Sequence, residues 1–279
     1  MKKSFIILVA IILMLWANPV MGQSTNYGTA CQFLNIEKTV KAKLCEDEDT
    51  VLQRNYIKAM WPVLLNGKEC PKLQEALCLW LTGKEDIKPV DKIIEHVLYT
   101  DNESVPYGDK DYFSIIGESD EEPFGIFSTS ISTIDLKTIG KRFAVFHLFY
   151  NTYYAGAAHG IFGHNYLTYD TELDKVVKLE DILINPEIIR PYILPSIDIH
   201  YGYTIENLFL PDSELPPIPE VFYIENGQLH LFYQVYEIAG FAYGYIDVPI
   251  EYPSEERIPD FLTPYGKILM EELCEQEMY

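Results

Sequence analysis

Residues 221–234, VFYIENGQLHLFYQ, hold the sharpest folding signal in the chain. Asn226-Gly227 is a pair that tolerates positive φ at both central positions of a type I′ turn, whose twist matches two paired strands. Apolar and polar residues alternate on either side, so 221–224 and 228–234 are expected as a hairpin with one buried face. Comparable strands recur from residue 124 onward. Residues 127–136 alternate, 142–154 (RFAVFHLFYNTYY) form a long aromatic strand, and 161–169 run back after a Gly-rich turn at 156–160. A short strand at 176–184 leads into a turn, and a last strand is expected at 243–250. Pro186 opens a helix reaching about His200, 211–219 is a Pro-rich loop, and 263–275 is a C-terminal helix.

The first hundred residues differ in texture. Residues 33–44 alternate, with Leu34, Ile36, Val40 and Leu44 on one face, and 52–64 return as a second extended run after the acidic turn at 45–51. Pro71 opens a helix whose stripe is Leu73, Leu77, Trp80 and Leu81, and Gly83 ends it. A second helix is expected over 89–99, with Ile93, Ile94, Val97 and Leu98 inward. Residues 101–123 are polar and read as a long junction loop. Strands in runs with separate helices predict an α+β fold: antiparallel sheets, helices on one face, and two subdomains divided as 23–100 and 124–279.

The extreme N-terminus has another purpose. Lys2 and Lys3 precede an apolar run, FIILVAIILMLW, that is shorter than the roughly 20 residues of a membrane span. Pro19 breaks it, and Val20 and Gly22 sit where a signal peptidase cuts. Residues 1–22 are therefore expected to be a cleavable signal without a lipoprotein cysteine, which makes the protein secreted or periplasmic with no span after cleavage. Loss of Lys2 and Lys3 takes the formal charge from −21 to −23. A field of that sign repels nucleic acid and anionic membrane and steers cationic partners inward.

Five cysteines, Cys31, Cys45, Cys70, Cys78 and Cys274, enter that oxidising compartment, and no CxxC occurs. A straight strand over 33–44 holds Cys31 and Cys45 roughly 40 Å apart at about 3.3 Å per residue, too far to join. The returning strand makes Cys70, or Cys78 one helix later, the expected partner of Cys31.

Catalytic signatures are sparse. There is no GxSxG elbow, HExxH or phosphate loop. His159, His164 and Asp170 could be imagined around a metal, but their spacing on a turn and strand points the histidines apart, so neither metal nor cofactor is expected. Glu237, between Tyr236 and Ile238, is either a buried acid or a capping carboxylate.

Two blocks carry a resemblance. The first is YYAGAAHG at 153–160 with NYLTYD at 165–170 and VKLEDIL at 177–183. The second is NGQLHLFY at 226–233 with YEIAGFAYG at 236–244 and VPI at 248–250. Together they resemble the RsiV-like extracellular domain family, a domain of unknown function found in lysozyme-sensing anti-sigma factors and in PdaC-type peptidoglycan deacetylases. The positions matching its pattern include His159, Gly160, Asp170 and Gly244. Phe241 stands where that family usually has Tyr, and Gly156-Ala157 replaces its glycine pair. Residues 31–100 are more loosely similar to the strand–strand–helix domain that often precedes it. The resemblance implies a fold and a binding role for a lysozyme-like cationic protein or a peptidoglycan-related glycan. The expected contacts are Tyr236, Glu237, Phe241 and Tyr243, on a loop carried by a rigid sheet. The rival readings are an envelope hydrolase using His159 with Asp170 or Glu237, and a structural envelope protein.

Overall fold

A computed structural model of the chain describes residues 31–46, 49–84, 89–99, 113–115, 126–210, 215–251 and 258–274. The expected signal at 1–22 and most of the 101–123 junction lie outside those residues. The elements run in order β1 (Gln32–Glu46), β2 (Asp49–Leu65), β3 (Lys68–Glu69), α1 (Pro71–Thr82), α2 (Val90–Tyr99), β4 (Phe113–Ile115), β5 (Ile126–Ile139), β6 (Phe143–Tyr154), β7 (Ile161–Asp170) and β8 (Lys175–Val176). There follow α3 (Leu179–Ile182), α4 (Arg190–Tyr201), β9 (Val221–Glu225), β10 (Gln228–Tyr233), β11 (Ile246–Pro249), α5 (Ile258–Phe261) and α6 (Pro264–Cys274). The fold is α+β and mostly antiparallel, as the alternation predicts.

The larger sheet has the order β4-β1-β2-β5-β6-β7-β8, with β3 folded back onto β2. β1 and β2 pair antiparallel from Gln32↔Leu64 to Glu46↔Asp49, which leaves Cys31 and Cys45 at opposite ends. β2 and β5 pair in parallel, so chain on both sides of 101–123 shares one sheet. The smaller sheet is β11-β10-β9. Its hairpin turn is the expected one, with φ of 54° at Asn226 and 70° at Gly227. A second Asn-Gly turn, Asn66-Gly67 at 52° and 75°, reverses β2 into β3 by the same chemistry. Pro71 stands at the first turn of α1, and Gly83, left-handed at φ 66°, donates its N–H to the Leu79 carbonyl and stops the helix.

Two cores result, one on each face of the large sheet, and β6 serves both. Ala144, Phe146 and Leu148 pack with Ile57, Trp61, Leu73, Leu77 and Ile93 beneath α1 and α2. Phe143 and Val145, the alternate residues, pack with Ile182, Ile193, Leu231, Val248 and Leu269 beneath the small sheet, α3, α4 and α6. The sequence reading sets the helices on one face; the structure divides them between two. The physical reason is that 143–146 (FAVF) is apolar on both sides of the strand, the mark of a strand covered twice.

The expected Cys31–Cys70 disulfide is not formed. Chain reversal does bring both to one end of the sheet, where Cys31 and Asp174 reinforce the effect of burial in pushing the Cys70 thiol up to about 12. But Cys70 is the residue before α1, and its buried sulfur lies against the Pro62 and Val63 carbonyls at 3.7 and 3.9 Å. Cys31 Sγ turns instead to Asn66 Oδ1, 3.9 Å away. Cys31, Cys70 and Cys274 are free thiols.

Candidate functional site

Both resemblance blocks converge at one end of β7. The turn 156–160, which joins β6 to β7, meets the loop 234–244, which joins β10 to β11. His159 is the contact. Its Nδ1 lies 3.0 Å from the Gly160 carbonyl and donates to it in the tautomer this geometry favours, leaving Nε2 to accept from the Tyr236 hydroxyl at 3.3 Å. The His159 ring lies flat on Phe241, with centroids 3.6 Å apart and planes 14° apart. Phe241 in turn meets Phe162 edge-on at 5.8 Å.

The backbone there is specialised. Gly160 fits because a Cβ would stand 2.7 Å from Asn151 Oδ1. Gly244 has φ 70° and ψ −152°, a region reserved for glycine. Between Gly240 and Gly244 the loop makes a 3-10 turn, Phe241–Tyr243, and the strand expected over 243–250 begins only at Ile246. Tyr236 is left-handed at φ 68°, which a bulky side chain adopts only when its surroundings impose it.

That strain lifts the ring outward. Tyr236 is 56% exposed, Tyr245 44% and Tyr243 37%, with Ile161 and Phe209 also open to solvent beside them. Tyr243 is braced edge-on by Tyr203 at 5.0 Å. Glu237 closes the loop: its Oε2 accepts the Gln234 N–H at 2.8 Å, while its own N–H donates to the Gln234 carbonyl at 3.1 Å. Burial raises its pKa, with Glu220 adding to the effect and the Gln234 N–H opposing it. Of the two readings of Glu237, the capping carboxylate is the one its contacts support.

Asp170 is placed elsewhere. It ends β7, nine residues beyond Ile161, or about 30 Å along the strand. Its side chain is fully buried. Arg142 Nε and Nη2 approach it at 3.1 and 2.7 Å, the Tyr265 hydroxyl donates at 2.8 Å, and the Glu172 and Leu173 N–H groups at 2.8 and 3.1 Å. Burial alone would raise its pKa, but Arg142, Tyr265 and the two amides overcome that and hold it below the usual carboxylate range. Glu272 completes the knot by accepting the Arg142 and Phe143 N–H groups at 2.8 and 3.0 Å. A His159–Asp170 pair is therefore not assembled. His159, His164 and Asp170 do not converge either, and no group of three or more metal-binding side chains occurs among the described residues.

Sequence reasoning missed the ladder of rings behind the loop. His164 lies within 6.2 Å, centroid to centroid, of Phe149, Phe162, Phe232, Tyr245 and His147. His147 Nε2 and His164 Nδ1 are 2.9 Å apart. Tyr166 stacks on Tyr223 at 4.1 Å, and Lys137 caps the far end, 4.2 Å above Tyr223 and 3.0 Å from Glu225. The signal existed in the alternation: residues 147 and 149 share a face of β6, and 162, 164 and 166 share the matching face of β7. What was missing was the register, Phe149↔His164 and His147↔Tyr166, which follows only once the turn is placed.

No protein-family model matches this chain, and no curated protein matches it. Solved structures do. A DUF3298 family member from Bacteroides fragilis aligns over 88% of this chain and 98% of its own, with TM-score 0.62 and 19% identity. A DUF3298 family protein from Pseudomonas aeruginosa aligns over 84% and 95%, with TM-score 0.51 and 16% identity. At these identities the likeness is one of fold: the chain is built like DUF3298 proteins, whose domain has no known function.

Proposed function

We propose that this chain is an exported, non-catalytic binding module of the cell envelope, secreted or periplasmic once residues 1–22 are removed. Its recognition surface is the loop 234–244 braced on the turn 156–160. Its partner is a cationic protein of the lysozyme kind, as the RsiV-like resemblance suggests. The observation that carries this reading is the pairing of exposed rings with an immobilised loop. Tyr236, Tyr243 and Tyr245 present apolar area that is already ordered, so little side-chain entropy is lost on binding. His159 serves there as a flat support for Phe241, and its ring nitrogens are already engaged. The strongly acidic chain draws a basic protein toward this surface and disfavours an anionic glycan.

The mature protein, immobilised and exposed to a basic lysozyme and to soluble peptidoglycan fragments, tests this. Saturable binding of the lysozyme that Phe241→Ala weakens supports the reading. Binding of the glycan alone reassigns the surface to a glycan. Hydrolysis of peptidoglycan that His159→Ala abolishes, with the fold intact, removes the reading altogether.

A further inference from the structure

We propose that the His147–His164 pair is an acid-sensitive latch on the loop 234–244, so that protonating both rings releases the surface that carries Tyr236 and Phe241. This rests on the reading of that loop as the recognition surface. The pair joins β6 to β7 on the face that meets the small sheet, with rings 5.2 Å apart and 21° from parallel. A 2.9 Å contact between two ring nitrogens needs one proton and one lone pair. It survives while one facing nitrogen carries a proton and the other does not. Once both rings are charged, two N–H groups confront each other and the rings must part.

The consequence travels through Gln234. Its side-chain amide grips the His164 backbone twice, accepting the His164 N–H at 3.0 Å and donating to the His164 carbonyl at 2.6 Å. Gln234 is also the residue on which Glu237 closes the loop. The His164 ring touches Phe232 and Tyr245, one on each stem of that loop. Moving His164 therefore loosens the amide grip and both stems together.

The surroundings set where this happens. Facing the pair are Asp135 and Lys137 from β5, Tyr166 from β7, Tyr245 and Asp247 at β11, and Glu225 through its bridge to Lys137. Burial lowers both histidine pKa values, that of His164 to about 4. Lys137 lowers His147 further while Asp135 opposes it, and His147 lowers His164 while Asp247 opposes it. The latch is closed at neutral pH and opens as pH falls through about 4, where His164 takes its proton.

NMR of the mature chain between pH 7 and pH 3.5 tests it without any ligand. The expected result is a shared midpoint for the His164 ring and the backbone amides of 234–244. In His147→Phe/His164→Phe that loop step disappears. If this double variant does not fold, His147→Gln replaces it, because its amide can donate to neutral His164 or accept from the charged ring; the loop step then shrinks at least severalfold. Loop amides that stay put while both histidines titrate overturn the latch, as does an unchanged loop step in the variants. A loop step with no lysozyme bound at pH 7 leaves the latch standing and removes only the proposed partner.

Discussion

The two ends of β7 solve opposite problems. At the Asp170 end a charge is buried completely, every donor around it is aimed at it, and α6 is tied down through Tyr265 and Glu272. At the Ile161 end the backbone of Tyr236 is strained, large rings stand in solvent, and the turn 156–160 meets the loop through His159 stacked on Phe241 and a 3.3 Å hydrogen bond to Tyr236. Residues from one resemblance pattern thus divide into those that hold the fold and those that shape a surface. A buried charge with all its donors converging is costly to leave uncompensated; strain beside exposed apolar area is the combination found at recognition and active sites.

Breaking the Asp170 end should have the largest effect. Asp170→Asn removes the charge that Arg142 and two backbone amides are built around, and is expected to lower unfolding stability by about 2–4 kcal/mol in urea titrations. The folded fraction should bind as the parent does. Gly244→Ala comes next. It forces a Cβ into a conformation where side chains are rarely found, at a cost of about 1–3 kcal/mol, and it should also weaken partner binding because the loop is re-aimed.

The pH dependence separates the two ends by window. His147 and His164 have lowered folded pKa values, that of His164 about 4, so from the unfolded value of about 6.5 down to the His164 value the unfolded chain binds more protons. Stability is present in full above that window and is lost as pH falls through it. Asp170 is also lowered, so its contribution is lost only below the unfolded Asp value of about 3.9. Denaturant midpoints measured against pH should therefore fall in two limbs. His147→Phe/His164→Phe flattens the first, and Asp170→Asn flattens the second. The smallest stability effect belongs to Tyr236→Gly, where relief of about 1 kcal/mol of left-handed strain offsets the lost ring contacts. A net change within about 1 kcal/mol is expected.

Local chemistry was legible in the sequence, and long-range pairing was not. Pro71 and Gly83 bound α1, Asn226-Gly227 turned the hairpin, and the alternating runs 33–44 and 127–136 lie within β1 and β5. The parallel β2–β5 pair was hidden because it joins strands separated by two helices and the junction, and nothing local marks it. The candidate site was half visible. Tyr236, Phe241, Tyr243 and His159 were identified from the resemblance, and the structure does bring the two blocks together. Their support was not visible, because it depends on cross-strand register and on a backbone angle at Tyr236 that its residue type argues against. Cys31 and Cys70 teach the same point: chain reversal placed them at one end, but side-chain direction decides whether sulfurs meet.

The central claim is that the exposed loop is a docking surface for a basic protein. Association kinetics with a basic lysozyme on immobilised mature protein, measured across a salt series, test it most directly. Salt is expected to slow association steeply while leaving dissociation nearly unchanged. Tyr236→Ala or Phe241→Ala should speed dissociation about tenfold or more, with association within a few-fold of the parent. No binding at low ionic strength contradicts the partner, and binding whose dissociation rate ignores both substitutions contradicts the surface.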